Sequence, residues 1–154
     1  MNAGWAPAAR MKQAIDAYRD AWARNKDAPL RQGRAEEATL GFVRMLVIAD
    51  TDAEAEKRAE AAYMRWYKSL EHQANSYGFT AMFLAGSYEI ARRRVGCVIA
   101  GTPETVKTEL LRDIATAGVN YPLVQIAFGN LTHAQSLKTL DLFTREILPA
   151  IRTL

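Results

Sequence analysis

Apolar positions along this chain recur in blocks whose period switches between that of a helix and that of a buried strand. Met11, Ile15, Tyr18 and Trp22 fall on one stripe, which predicts a helix over Ala8–Arg24. A polar stretch from Asn25 to Ala38, with Pro29 and Gly33, reads as a loop. Phe42 to Ala49 is then a nearly continuous apolar run, broken only by Arg44. Such a run suits a strand covered on both faces, as in a parallel sheet. Thr51-Asp52-Ala53-Glu54 follows as a capping box, because Thr51 can accept from the Glu54 amide while Glu54 reaches back. The helix it opens carries Ala55, Ala59, Ala62, Trp66 and Leu70 on one stripe, widened by Tyr63 and Tyr67.

The second half repeats the unit. After an irregular stretch, about residues 72–94, that reads as an insertion around Phe79–Leu84, Val95–Ala100 is a second predicted strand. Thr102 is an N-cap, Pro103 suits the first turn, Val106, Leu110, Ile114 and Ala117 form the buried stripe, and Gly118 stops the helix. Leu123–Phe128 is the third predicted strand. Thr132 to Gln135 is another capping box, and Leu137, Leu140, Phe143, Ile147 and Ile151 form the expected stripe of a last helix that Pro149 kinks or ends. Strand end hands to helix start three times, the repeating unit of a parallel α/β sheet.

Composition narrows the function classes. The chain has 154 residues, 49% hydrophobic and 24% charged, with a net charge of +3. This describes one folded domain, residues 1–154, rather than a disordered segment. Acidic and basic residues alternate along most of it, so nucleic acid is not an expected partner. The longest unbroken aliphatic stretch, Met45–Ala49, is far short of the ~20 residues of a membrane span, and the N-terminus lacks a signal-peptide pattern. The expected location is the cytoplasm. Cys97 is the single cysteine, so no intramolecular disulfide can form.

Three stretches together resemble one family. They are Tyr18–Trp22 with Val43–Ala55, Gly101-Thr102-Pro103-Glu104-Thr105-Val106, and Gln125–Leu131 with Phe143 and Glu146–Pro149. In order and spacing they are similar to the sixth, seventh and eighth strand–helix units of the luciferase-like flavin-dependent monooxygenases. The resemblance covers Tyr18 to Leu154. It implies an α/β fold that is part of a (β/α)8 TIM barrel, with about three parallel strands and four or more helices. It also implies reduced FMN, or alternatively deazaflavin F420, as cofactor, and molecular oxygen and a small organic molecule as substrates. The match is to the C-terminal part of that family only, whose flavin contacts come largely from earlier strands. The expectation is therefore that this chain alone binds reduced FMN negligibly.

The candidate site residues follow from the barrel reading, in which turns after strand ends lie on the active face. Gly101 and Thr102 sit at one such turn, where a helix N-terminus can hold an anion, although an N-cap alone accounts for Thr102. Gln125, Phe128 and Gly129 sit at the other, as a pocket wall or as core plus a turn glycine. Arg92, Arg93 and Arg94 are candidates for a phosphate or sulfonate, since guanidinium suits planar oxyanions. A solvated basic run is the plainer reading. His72 and His133 have no spacing that supports a metal site, Cys97 reads as an inert core residue, and no residue stands out as catalytic.

Three parallel strands cannot close a barrel, which takes about eight. Open apolar edges invite pairing with other chains. The expectation is a fragment of a longer chain, or pairing with a complementary chain, or self-association into a composite barrel. A small doubly wound sheet is a fourth arrangement.

Overall fold

The computed structural model describes residues 1–2, 4–29, 36–78 and 86–153. The apolar cluster Phe79–Leu84 and part of the loop after the first helix lie outside the described residues. Helix α1 runs over Ala8–Arg24, strand β1 over Gly41–Ile48 and helix α2 over Asp52–Ser76. A π-helical turn, Ile90–Val95, leads to β2 at Val98–Gly101 and α3 at Pro103–Ala117. Strand β3 is Tyr121–Gln125. The chain ends in α4, His133–Leu142, a π-turn at Phe143–Ile147 and a short α5, Leu148–Ile151.

All three strands are parallel, in the order β2-β1-β3. The first strand is thus central, and the path from β2 to β3 crosses it. A closed barrel places all its helices outside the strands; within this chain helices cover both faces of the sheet. Phe42, Leu46 and Ile48 pack with Met11 and Ile15 of α1, Leu110 and Ile114 of α3, and Phe143 and Ile147. Met45, Val47, Val98 and Ala100 pack on the other side with Ala55, Ala59, Ala62 and Tyr63 of α2. This double coverage is why β1 is apolar at nearly every position. The edge of β1 that faces β2 is used along its whole length. Its second half pairs with β2, while its first half accepts the N-terminal segment through Gly41 N–H to the Met1 carbonyl (2.9 Å) and Val43 N–H to the Gly4 carbonyl (3.0 Å).

Several element limits differ from the sequence expectation, each for a local reason. Val95 belongs to the π-turn, because Gly96 at φ +71° breaks the chain before β2. Helix α2 continues through His72 to Ser76, since nothing between Leu70 and Gly78 opposes a helix. Strand β3 starts two residues early and ends at Gln125, where its pairing with β1 stops at Met45.

The expected stripe of the last helix is displaced. Leu137 and Leu140 are exposed, and Ser136 and Thr139 face inward with Phe143 and Ile147. Two causes are visible. The Thr139 hydroxyl accepts the Ile48 N–H at the end of β1 (3.2 Å). The π-turn also inserts a residue, which shifts the helix phase by about 100°. Pro149 lacks the N–H an α-helix needs there, and the wider turn lets the helix continue past it.

Candidate functional site

The carboxyl ends of the strands gather three helix N-termini, each capped by a threonine. Thr51 accepts from Glu54 N–H, Thr102 from Thr105 N–H and Thr132 from Gln135 N–H, the last completed as a full capping box. Capping side chains satisfy amides that would otherwise be orphaned. Asp50 pairs with Lys138 at 2.7 Å, tying α4 to the end of β1. That hydrogen bond and the ammonium charge hold the Asp50 carboxyl below its ordinary value.

The Gly101-Thr102 turn already holds an anion of the chain's own. Asp52, in the first turn of α2, accepts the Thr102 N–H at 2.7 Å. This bond, with help from the Thr105 hydroxyl, lowers the Asp52 pKa. A Cβ on Gly101 would lie 2.7 Å from Asp52 Oδ1 and from Thr105 Cγ2, so the glycine makes room for the carboxylate. A phosphate in the same place would meet a fixed negative charge. The turn therefore does not fit the flavin phosphate that the sequence suggested for it.

Gln125, Phe128 and Gly129 lie on the far side of β1 from this turn. Gln125 is level with Met45, whereas Gly101 is level with Ile48. The two strand ends are offset by three residues, about 10 Å of strand rise, with β1 between them. Phe128 is buried in the α2-side core. Gly129 has φ +59°, and a Cβ there would lie 1.8 Å from the Ala62 carbonyl oxygen. Its backbone therefore presses onto the alanine stripe of α2. The candidate residues do not surround a common cavity.

The arginine run is divided in its environment. Arg92 is inward, with its side chain 14% exposed. Its Nε donates to Glu56 (2.8 Å), and its two terminal nitrogens donate to Glu109 (2.6 and 2.8 Å). Burial alone would lower its pKa, but the hydrogen bonds and charges of Glu109 and Glu56 outweigh this and raise it. Tyr88 donates to the same Glu56. Burial, then that bond, push the Tyr88 hydroxyl pKa up. Arg92 is thus committed within the protein, contrary to its expected role as an anion ligand. Arg93 and Arg94 are exposed, beside a hollow of about 180 Å³ that they share with Arg112, Glu109 and Asp113.

Two features had no reading as chemistry in the sequence. One is a cleft of about 420 Å³ at the carboxyl end of the sheet, between Lys57, Arg58 and Ala61 of α2 and Asn130, Thr132 and Gln135. The other is a buried ion pair: Arg44 Nε donates to Asp113 at 2.8 Å, and the Arg44 guanidinium lies 4.5 Å from the Phe42 ring centroid. The interruption of the apolar run by Arg44 was its only sequence signal. Among the described residues, no group of three or more His, Cys, Asp or Glu side chains could hold a metal ion. No described helix is long and apolar enough to cross a membrane.

Comparison with known proteins adds the family. A family model described as luciferase-like monooxygenase matches residues 1–121. The chain is 27% identical over 146 residues to an uncharacterized protein, y4wF, of Sinorhizobium fredii, covering 94% of this chain and 41% of that protein. The monooxygenase RslO1 of Streptomyces bottropensis superposes with a TM-score of 0.73 at 19% identity, over 97% of this chain and 40% of its own. The oxygenating constituent of 3,6-diketocamphane monooxygenase from a plasmid of Pseudomonas putida, solved with FMN, superposes with a TM-score of 0.63 at 15% identity, over 96% and 42%. The chain therefore spans about two fifths of the proteins it resembles. Its fold is that of part of a luciferase-like barrel.

Proposed function

We propose, for a chain that belongs to the luciferase-like monooxygenase family, that it serves as the C-terminal segment of a flavin-dependent oxidoreductase that uses reduced flavin and O2 on a small organic substrate. The observation that carries this reading is the match of the chain's first 121 residues to the family, together with superposition of nearly the whole chain on about 40% of a monooxygenase. Reduced FMN is the cofactor of the proposal, with F420 as the alternative, and the cytoplasm is its location. The segment's part is structural. It supplies strands, three capped helix starts and one wall at the carboxyl end of the sheet, and it is inactive alone. The Asp52 carboxylate on the α3 turn and the committed Arg92 support that division of labour, because neither leaves donors for a phosphate.

Extending the reading frame upstream of Met1 in the source DNA tests this. The expectation is an open frame of roughly 150–200 further residues, the length a barrel still needs, whose full product binds reduced FMN and consumes O2. A stop codon and ribosome site directly ahead of Met1 would overturn it.

A second reading is favoured by one observation. Strand β3 is at the sheet edge, with Tyr121 55% and Leu123 37% exposed. Under this reading the chain is a non-catalytic half-barrel that self-associates or pairs with a complementary, barrel-like chain through that edge. A clean monomer by light scattering at micromolar concentration counts against it.

A further inference from the structure

Both outer strands of the sheet have a single partner strand, yet only β3 meets solvent. Val98, Ile99 and Ala100 of β2 are each at most 1% exposed. In a parallel pair, successive residues alternate between bonding the neighbouring strand and facing away from it. The carbonyls of Cys97 and Gly101 accept from Met45 and Ala49 of the β1 side, so Val98 and Ala100 turn their peptide groups to the outer edge. Arg92 stands there. Its Nη2 donates to the Ala100 carbonyl at 3.3 Å, while Glu56 of α2 and Glu109 of α3 hold the guanidinium from the two faces of the sheet. The π-turn that carries Arg92 is itself fastened to the strand, because Cys97 N–H donates to the Ala91 carbonyl at 3.0 Å.

We propose that Arg92, clamped by Glu56 and Glu109, closes the β2 edge of this sheet to the addition of another strand. An unpaired edge is a template for pairing with a further chain, and a charged side chain fixed across it removes that template. The guanidinium takes the outward carbonyl that an incoming strand would need. The two carboxylates fix it with charge-assisted bonds, which are roughly twice as strong as neutral ones. Arg is suited to this because one planar group reaches three acceptors at once, which a lysine ammonium on a flexible stem does not reproduce. The inference concerns the sheet edge and involves neither flavin nor substrate, so it stands or falls apart from the family reading.

Sedimentation velocity over a concentration series tests it on the full chain, comparing wild type with Arg92→Leu and Glu109→Gln. Arg92→Leu removes the donor from Ala100. Glu109→Gln weakens the clamp but leaves Arg92 on Glu56 and Ala100. The expected result is a weight-average mass for R92L about twofold or more above wild type at the same concentration, as pairing through an opened edge requires, with E109Q at the wild-type mass. Hydrogen exchange should show the Ala100 amide accelerated in R92L while the Leu110 amide of α3 keeps its protection. If R92L does not fold because two carboxylates are stranded, the triple variant R92L/E56Q/E109Q relieves them and is read the same way. A folded variant lacking Arg92 that keeps the wild-type mass overturns the proposal, as does equal association of E109Q and R92L.

Discussion

Asp52 accepts the backbone N–H of Thr102 at 2.7 Å, so the first turn of α2 caps the first turn of α3 from fifty residues away in sequence. The two helices lie on opposite faces of the sheet, and this one bond ties them together over the end of β2. Its carboxyl pKa is lowered, chiefly by that backbone bond. A group with a depressed folded-state pKa stabilises the fold above its unfolded value and loses that contribution as pH falls through the folded value. The contribution of Asp52 should thus be complete above about pH 4 and fade below it. Asp52→Asn should lower the urea midpoint at pH 7 and flatten the acid limb of a stability-versus-pH curve. An unchanged acid limb would show that the bond does not form in solution.

The buried Arg44–Asp113 pair gives the largest expected effect. Asp113→Ala leaves a guanidinium that is 0% exposed without its counter-ion, and breaking a buried pair in this way costs about 3–5 kcal/mol. The double variant Arg44→Met/Asp113→Leu removes both charges and should cost less than D113A alone. Urea unfolding of the three proteins measures the difference.

Gly129 and Gly78 separate two kinds of glycine requirement. Both have positive φ, but only at Gly129 would a Cβ meet backbone; at Gly78 nothing lies within 4 Å. Gly78→Ala should cost about 1 kcal/mol from left-handed backbone alone. Gly129→Ala must also push the loop off α2 and should cost more, on the order of 2–3 kcal/mol. Equal thermal shifts for the two would contradict the close approach at Ala62.

Thr139→Val keeps shape but removes the acceptor of the buried Ile48 N–H. The orphaned amide should cost about 1–3 kcal/mol, and Thr139→Ser should restore most of it. Guanidinium melts of the two variants read this directly.

Cys97 should be silent. It is 1% exposed, and burial pushes its thiol pKa up to about 11, so little thiolate exists at pH 7. A thiol reagent should leave the native chain unmodified and label it fully in denaturant. Rapid labelling of the native chain would place Cys97 at a surface.

What could be read from the sequence was local. The strand of Phe42–Ala49, the threonine caps at 51, 102 and 132, and the Gly118 stop all depend on neighbours within a few residues, and the structure holds each of them. The strand order was not legible, because an apolar run records that a strand is covered and not which strand lies beside it. Leu137 and Leu140 were assigned inward because periodicity assumes an unbroken α-helix, and the π-turn before Leu148 breaks that phase. Arg92 looked like an anion ligand because its partners, Glu56 and Glu109, are 36 and 17 residues away. Asp52 appeared only as a first-turn acid, and its span to Thr102 is a property of the tertiary fold.

The central claim is that this chain contributes a wall and capped turns to a flavin enzyme without holding the flavin itself. Anaerobic titration of the purified 154-residue chain with reduced FMN, followed by fluorescence, tests it most directly. The account predicts no saturable change through the micromolar range. Saturable micromolar binding would contradict it and make the half-barrel a flavin site in its own right.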